Sequence, residues 1–271
     1  MSTTNLIAVD LDGTLLTDDK KISKQTKDVL MKAQEEGHYV VIATGRPQRA
    51  SIAYYQELQL KTPMVNFNGA YVHHPLDRSW GVHHHPIDLR VAKAIFEACS
   101  DFKVKNVMAA VLDDVYLNLH DERFISALTM MGGEYVIKTG NLQSKLTEAP
   151  TSMLIYPDED DAEKLRSVLT EAHAEVAENR SWGPPWNIIE IVKSGQNKAV
   201  GLKRIAEDLH IPRERIIAFG DENNDLEMID YAGQGVAMGN AIDELKNAAK
   251  AVTKTNQEDG IAVYLKERLN L

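Results

Sequence analysis

Two acids, Asp10 and Asp12, close the apolar run of "LIAVDLDGTLLTDD" (6–19). A carboxylate at the end of a buried strand is poorly solvated, and its ionisation is costly unless a cation or hydrogen-bond donors meet it. Other runs end in a similar way. "IATGR" brings Thr44 and Arg46, "NFNG" closes at 69, and "AFGDENND" brings Asp221, Asn224 and Asp225. In a parallel α/β sheet, ligands bind beyond the carboxyl ends of the strands. If these runs are neighbouring strands, the side chains converge on one rim. Oxygen ligands without His or Cys predict a hard divalent ion there, and Mg2+ is the best match.

Other acids have simpler readings. Asp18, Asp19, Asp113, Asp114 and "DEDD" (158–161) read as turn and helix-cap residues. "DLDGT" starts like a calcium loop, but its glycine is at the fourth position, not the sixth. Lys21 also stands where a bidentate glutamate is needed. Neighbouring histidines on a strand face opposite ways and chelate poorly together. His73, His74 and the run His83 to His85 are therefore expected in a solvated hinge or hairpin. Trp182 and Trp186 could stack on a substrate, with packing of a proline-rich loop as the simpler expectation, and Cys99 is expected to be a small buried hydrophobe.

The elements that must hold these residues alternate. "LIAVDL", "YVVIATG" (39–45), "PMVNFNGAYV" (63–72), "RIIAFGD" (215–221), "GVAM" and "KAVTK" read as strands. "KQTKDVLMKAQEEG", "NKAVGLKRIAEDLH" and "DLEMIDYAG" read as helices. Continuous apolar strands separated by helices predict an α/β fold, with a Rossmann-like parallel sheet covered on both faces. Between 83 and 193 the texture changes. "VMAAVLDDVYLNL" reads as a hairpin turning at Asp113-Asp114, followed by a strand, a helix and the strand "PPWNIIEIVK". This is an α+β domain at 83–193 inserted into a core of 1–82 plus 194–271.

The chain has 271 residues, 44% hydrophobic and 26% charged, with a formal net charge of −10. That charge argues against nucleic-acid and anionic-membrane partners, whose phosphates reward the opposite sign. One cysteine excludes an internal disulfide. No run approaches the roughly 20 apolar residues of a membrane span, and the N-terminus does not read as a signal peptide. A soluble cytoplasmic protein is expected.

"DLDGTL", "ATGRP", "NGA", "NKAVGL", "GDENNDLEMI", "AMGNA" and "EDG", in this order, resemble the haloacid dehalogenase superfamily. More narrowly they resemble its Cof-type phosphatases, in which a large αβ cap is inserted between the second and third motifs. The resemblance implies that Asp10 is a nucleophile that becomes an aspartyl phosphate, and Asp12 a general acid and base. It implies that Thr44, Lys198 and Asn224, with the backbone N–H groups of Leu11 and Gly45, cradle the phosphate. It assigns Mg2+ to Asp10, Asp221 and the main-chain carbonyl of Asp12. Asp225 would orient its neighbours, and Arg46 would either reach the substrate or brace its loop. Thr14 is expected to support the loop. Ala199 stands where the family usually has glycine after the lysine, which bears on the placement of Lys198.

The implied reaction is hydrolysis of a small phosphorylated metabolite, such as a sugar phosphate. A sugar phosphomutase would use the same acid pair, and a phospho-accepting signalling domain is the alternative from another class. No segment of the sequence speaks to the natural substrate or to oligomeric state.

Overall fold

The computed structural model describes residues 4–122, 125, 126, 135–173, 177–182 and 188–271. The chain forms two compact units. One comprises Met1–Gly45, Ser51–Val82 and Asn197–Leu271, the other Arg46–Ala50 and His83–Gln196. The second unit thus returns to the first at Asn197, rather than at 194. It also takes in five residues that follow directly on Gly45.

In chain order, the strands before the long excursion are β1 (Leu6–Val9), β2 (Tyr39–Ile42), β3 (Met64–Asn66), β4 (Tyr71–His73) and β5 (Val82–His84). Within the second unit run β6 (Val104–Val111), β7 (Asp114–Leu117), β8 (Ile137–Thr139), β9 (Ser152–Pro157), β10 (Ala177–Trp182) and β11 (Ile188–Lys193). The return adds β12 (Ile216–Gly220), β13 (Gln234–Ala237) and β14 (Ala251–Val252).

The first unit is built on a parallel sheet of order β14-β13-β12-β1-β2. β1 lies between β12 and β2, with Val9 opposite Phe219 on one side and Ile42 on the other. Both faces of β1 are covered, so every residue of Leu6–Val9 is buried and the run shows no polar alternation. Ser23 caps helix Lys24–Glu35 by accepting from the Thr26 N–H, and Gly37 follows its end. Helix Lys198–Asp208 buries Leu202, Ile205 and Ala206 in the same core.

One expectation is corrected here. Residues 63–72 are not a single strand of the parallel sheet. β3 and β4 form an antiparallel hairpin with Met64 opposite His73, and belong with β5 to a separate sheet. The reversal comes from three successive residues, Phe67, Asn68 and Gly69, with φ of +49°, +51° and +95°. His73 is corrected as well. It is buried, hydrogen-bonded through Nε2 to Asn66 Oδ1 at 3.0 Å and stacked on Tyr71. Burial pushes its imidazole down to about 4, so it packs as a neutral core residue rather than in a solvated hinge.

The second unit has a sheet of order β10-β11-β9-β6-β7-β8, antiparallel except between β7 and β8. Helix Leu89–Ala98 and helix Glu159–His173 contribute Ile95, Leu165 and Leu169 to its core, against Val107, Tyr116 and Ile155. The β6–β7 turn falls on Leu112 and Asp113, one residue earlier than expected, because Asp114 already pairs with Val111. Leu112 takes the left-handed conformation there, with φ of +52°. Cys99 is buried in this core and its thiol is pushed up to about 12, as befits a small hydrophobe. His84 hydrogen-bonds Thr151 at 2.9 Å. Trp182 ends β10, whereas Trp186 lies outside the described residues. Among the described residues no helix is long and apolar enough to cross a membrane.

Candidate active site

Asp10 is the first residue beyond β1. Its N–H extends the ladder to Phe219 O at 3.2 Å, and its carbonyl accepts from the Leu15 N–H at 3.1 Å. The chain then turns tightly, with Leu11 O accepting from the N–H groups of Thr14 and Leu16. Gly13 makes the turn possible in two ways. Its φ is +73°, and a Cβ there would lie 2.1 Å from Asp221 Oδ2. The turn after β1 and the acid after β12 are therefore in van der Waals contact only because residue 13 has no side chain.

Around this turn the first unit collects charge. Lys198 Nζ donates to Asp10 Oδ1 at 2.7 Å and to Asp225 Oδ1 at 2.8 Å, and is itself fully buried. It is the first residue of its helix, whose Asn197 cap accepts from the Val200 N–H. Ala199 does not disturb that position. Asp225 Oδ2 accepts from the N–H groups of Asp221 and Glu222, at 3.0 and 3.2 Å, so both of its oxygens serve protein donors. Thr14 Oγ1 donates to Asp221 Oδ1 at 2.7 Å, the supporting role expected of it.

Burial sets the electrostatics. It pushes the Asp10 carboxyl up to about 7; Lys198 opposes this, and the Asp225 and Asp12 charges reinforce it. Burial likewise pushes Asp221 up to about 8, with Asp10 and Asp225 adding to the effect and Thr14 and Lys198 opposing it. Burial would lower the Lys198 ammonium, but the Asp10 and Asp225 carboxylates more than offset that and hold it raised. Strongly raised carboxyls in one cluster are a recognised signature of a functional site.

The donor set fits a hard cation. Ligand oxygens of Asp10, Asp221 and Asp225 lie within 4.8 Å of one another. Hydrogen bonds engage Oδ1 of Asp10 and Oδ1 of Asp221, and among the described residues neither Oδ2 takes one. Two buried carboxylate oxygens with no proton donor are what an Mg2+-type ion requires, and the set holds no nitrogen or sulfur ligand. With Asp225 occupied by Lys198 and two N–H groups, Asp10 and Asp221 are the residues that could hold the ion.

The remaining candidates of the first unit lie in the turn itself or on the segments that follow β2 and β12, the strands flanking β1. Asp12 is turned outward, its carboxylate 43% exposed and bound by Lys20 Nζ at 2.7 Å. Thr44 is buried after β2, its N–H donating to Val65 O at 2.9 Å and its carbonyl accepting from the Asn68 N–H at 3.1 Å. Gly45 packs on the Asn68 amide, and Asn224 Nδ2 donates to Asn68 Oδ1 at 3.0 Å. Leu11 is buried at the turn itself. Arg46 belongs to the stretch assigned to the second unit and donates to Ala50 O at 3.1 Å, across its own loop.

Three contacts were not foreseen: Lys20 on Asp12, Asn68 between Thr44 and Asn224, and a brace from the C-terminal part. There Asn240 Nδ2 donates to Gly13 O at 2.8 Å, while its Oδ1 accepts from the Asn256 N–H at 2.9 Å. Asn256 Nδ2 donates in turn to Leu16 O at 2.9 Å. The "NGA" and "AMGNA" stretches already contained Asn68 and Asn240. Asparagine near glycine reads equally well as a plain turn, so spacing alone did not single them out.

The whole chain can be compared with known proteins. The sequence model of the haloacid dehalogenase-like hydrolases matches residues 7–265. The 5-amino-6-(5-phospho-D-ribitylamino)uracil phosphatase YitU of Bacillus subtilis is 52% identical over 266 residues, covering 98% of each chain. The pyridoxal phosphate phosphatase YbhA of Escherichia coli is 29% identical, covering 98% of this chain and 99% of its own. A haloacid dehalogenase-like hydrolase from Bacteroides thetaiotaomicron superposes with a TM-score of 0.83 at 27% identity, covering 98% of this chain and 100% of that one.

Proposed function

Because this chain belongs to the haloacid dehalogenase-like hydrolases, we propose that it hydrolyses a small phosphomonoester through a phosphoryl group carried transiently on Asp10. The observation that carries this reading is the buried Asp10 carboxylate, held at Oδ1 by Lys198. Membership of a hydrolase family sets aside the phospho-accepting signalling module.

In the proposed sequence an Asp10 oxygen attacks phosphorus and the P–O bond to the leaving alcohol breaks. Asp12, at the solvent side of the turn and bound by Lys20 in the resting fold, enters this step protonated and gives that alkoxide its proton. Water then attacks the aspartyl phosphate while Asp12 takes the proton back, releasing orthophosphate and restoring Asp10. Lys198 fixes the rotation of the Asp10 carboxylate and neutralises charge beside the reacting phosphorus. Thr44, Asn224 and the backbone N–H groups of Leu11 and Gly45 are the proposed donors to the phosphoryl oxygens. Mg2+, held by Asp10, Asp221 and the Asp12 carbonyl, would offset repulsion between the carboxylates and the phosphate dianion.

The substrate we propose is 5-amino-6-(5-phospho-D-ribitylamino)uracil or a close analogue, a phosphorylated polyol joined to a planar heterocycle. The 52% identity over nearly the full length of YitU supports it. The one cysteine, buried and so without a disulfide partner, fits a reducing cytoplasm. The test is phosphate release from a panel that includes this compound, pyridoxal 5′-phosphate and hexose phosphates, with Mg2+ and with chelator. The ribityl compound should give the highest kcat/KM, and turnover should stop without the metal. Phosphate returned to another carbon of a hexose, rather than freed, would identify a mutase instead.

A further inference from the structure

The turn Phe67–Asn68–Gly69 holds positive φ at three successive residues and is buried. Two of these residues carry side chains, for which the left-handed region is uncommon. Such a conformation persists only where its surroundings over-determine it. Here three segments do so, and each carries part of the proposed phosphate site.

The Asn68 N–H donates to Thr44 O at 3.1 Å, and its amide packs so close to Gly45 that a Cβ there would lie 3.1 Å from Nδ2. The same amide's Oδ1 accepts from Asn224 Nδ2 at 3.0 Å. Gly69 rests on the cap of the Lys198 helix, where a Cβ would fall 2.1 Å from Asn197 O. Thr44 follows β2 and Asn224 follows β12, and β1 lies between those strands. Sheet register fixes where those strands end, but not the spacing of the loop residues beyond them. A tetrahedral phosphoryl group needs its donors at set separations, so something must.

We infer that Asn68 is a positioning residue of the phosphate cradle, holding the Thr44–Gly45 backbone and the Asn224 amide at a common spacing. The inference rests on the phosphatase reading above. Asparagine suits the task because it tolerates the left-handed region and its amide carries both an acceptor and donors. Asn68 touches no substrate in this role. It acts through Thr44 and Asn224.

The experiment compares Asn68→Gly, which keeps the backbone conformation and deletes the amide, with Asn68→Asp, which keeps an acceptor but adds a charge. In Mg2+-containing buffer, the readouts are the affinity for orthophosphate by calorimetry, KM and kcat on a phosphomonoester, and the unfolding temperature. Asn68→Gly should weaken orthophosphate binding and raise KM by about tenfold, the effect of losing one hydrogen bond's worth of ordering, with kcat changed far less. Adding Asn224→Ala to it should cost little more, because Asn224 has already lost its brace. Asn68→Asp should bind orthophosphate more weakly still.

Wild-type orthophosphate affinity in both variants, with only the unfolding temperature lowered, would show that Asn68 serves the fold alone. Fully additive losses in the double variant would also overturn the inference. A parent protein that neither hydrolyses phosphomonoesters nor binds orthophosphate would bring down the phosphatase reading and this inference together.

Discussion

Lys198 Nζ stands 2.7 Å from Asp10 Oδ1 with both side chains buried, and 2.8 Å from Asp225 Oδ1 on its other side. Asp221 shares the cluster. One ammonium among these acids leaves negative charge that only protons or a divalent cation can balance. A buried pair is costly to break because the partner left behind cannot be resolvated.

Lys198→Met should therefore abolish turnover and destabilise the fold by about 3–5 kcal/mol near pH 8. The loss should shrink near pH 5, where the orphaned Asp10 carboxyl takes up a proton. Urea unfolding at the two pH values checks this; an equal loss at both would mean that the lysine is not balancing those acids.

The raised carboxyls give metal binding a pH dependence. Burial and mutual repulsion raise the Asp10 and Asp221 carboxyls well above the ordinary 3.8 in the metal-free fold, towards about 7 and about 8. Between about pH 4 and pH 8 the folded chain thus holds more protons than the unfolded one, and this contribution to stability falls as pH rises. Mg2+ takes the place of those protons. In chelator, the unfolding temperature should drop from pH 5 to pH 8 more steeply for the parent than for Asp221→Asn. The stabilisation by added Mg2+ should be larger at pH 8 than at pH 6. A greater Mg2+ effect at pH 6 would contradict this assignment.

Gly13 and Gly37 separate crowding from backbone strain. Both have positive φ, but a Cβ at Gly13 would strike Asp221 Oδ2 and one at Gly37 would meet nothing within 4 Å. Each alanine substitution should cost about 1–2 kcal/mol for the left-handed conformation. Only Gly13→Ala should also lose Mg2+ affinity, by displacing Asp221. Titrating Mg2+ by its effect on unfolding temperature tests the pair; indistinguishable affinities would be the adverse result.

The two acids of the opening motif should fail differently. Asp10→Asn should neither turn over nor incorporate phosphate, because a carboxamide cannot form the acyl phosphate. Asp12→Asn should still be phosphorylated by an aryl phosphate, whose leaving group needs no proton, but should hydrolyse the intermediate about 10²–10⁴-fold more slowly. Rapid-quench kinetics should show a burst of about one equivalent of aryl alcohol in Asp12→Asn alone. Two equally inactive variants without a burst would remove the division of roles.

The acid cluster was legible in the sequence because its signals are local. An apolar run that must be buried on both faces ends in Asp10, and another ends in Asp221, so one-dimensional patterning carries the strands and the acids together. The parallel core and the antiparallel inserted unit followed from the same patterning. What the sequence left open depends on partners far along the chain. Lys198 reads as a surface lysine on any helix until Asp10 and Asp225, 188 and 27 residues away, close around it. Residues 63–72 read as one strand because hydrophobic periodicity is blind to the sign of φ, whereas three left-handed residues reverse the chain within that run. His73 departs from its expected solvated place for a similar reason: it is buried, stacked on Tyr71 and bonded to Asn66, neither of which a histidine-rich stretch reveals. The residue types and their order were enough to single out the acids that the fold gathers into one cluster. Their protonation, their mutual spacing and the turn at Asn68 were decided by burial and long-range contact, which exist only once the chain has folded.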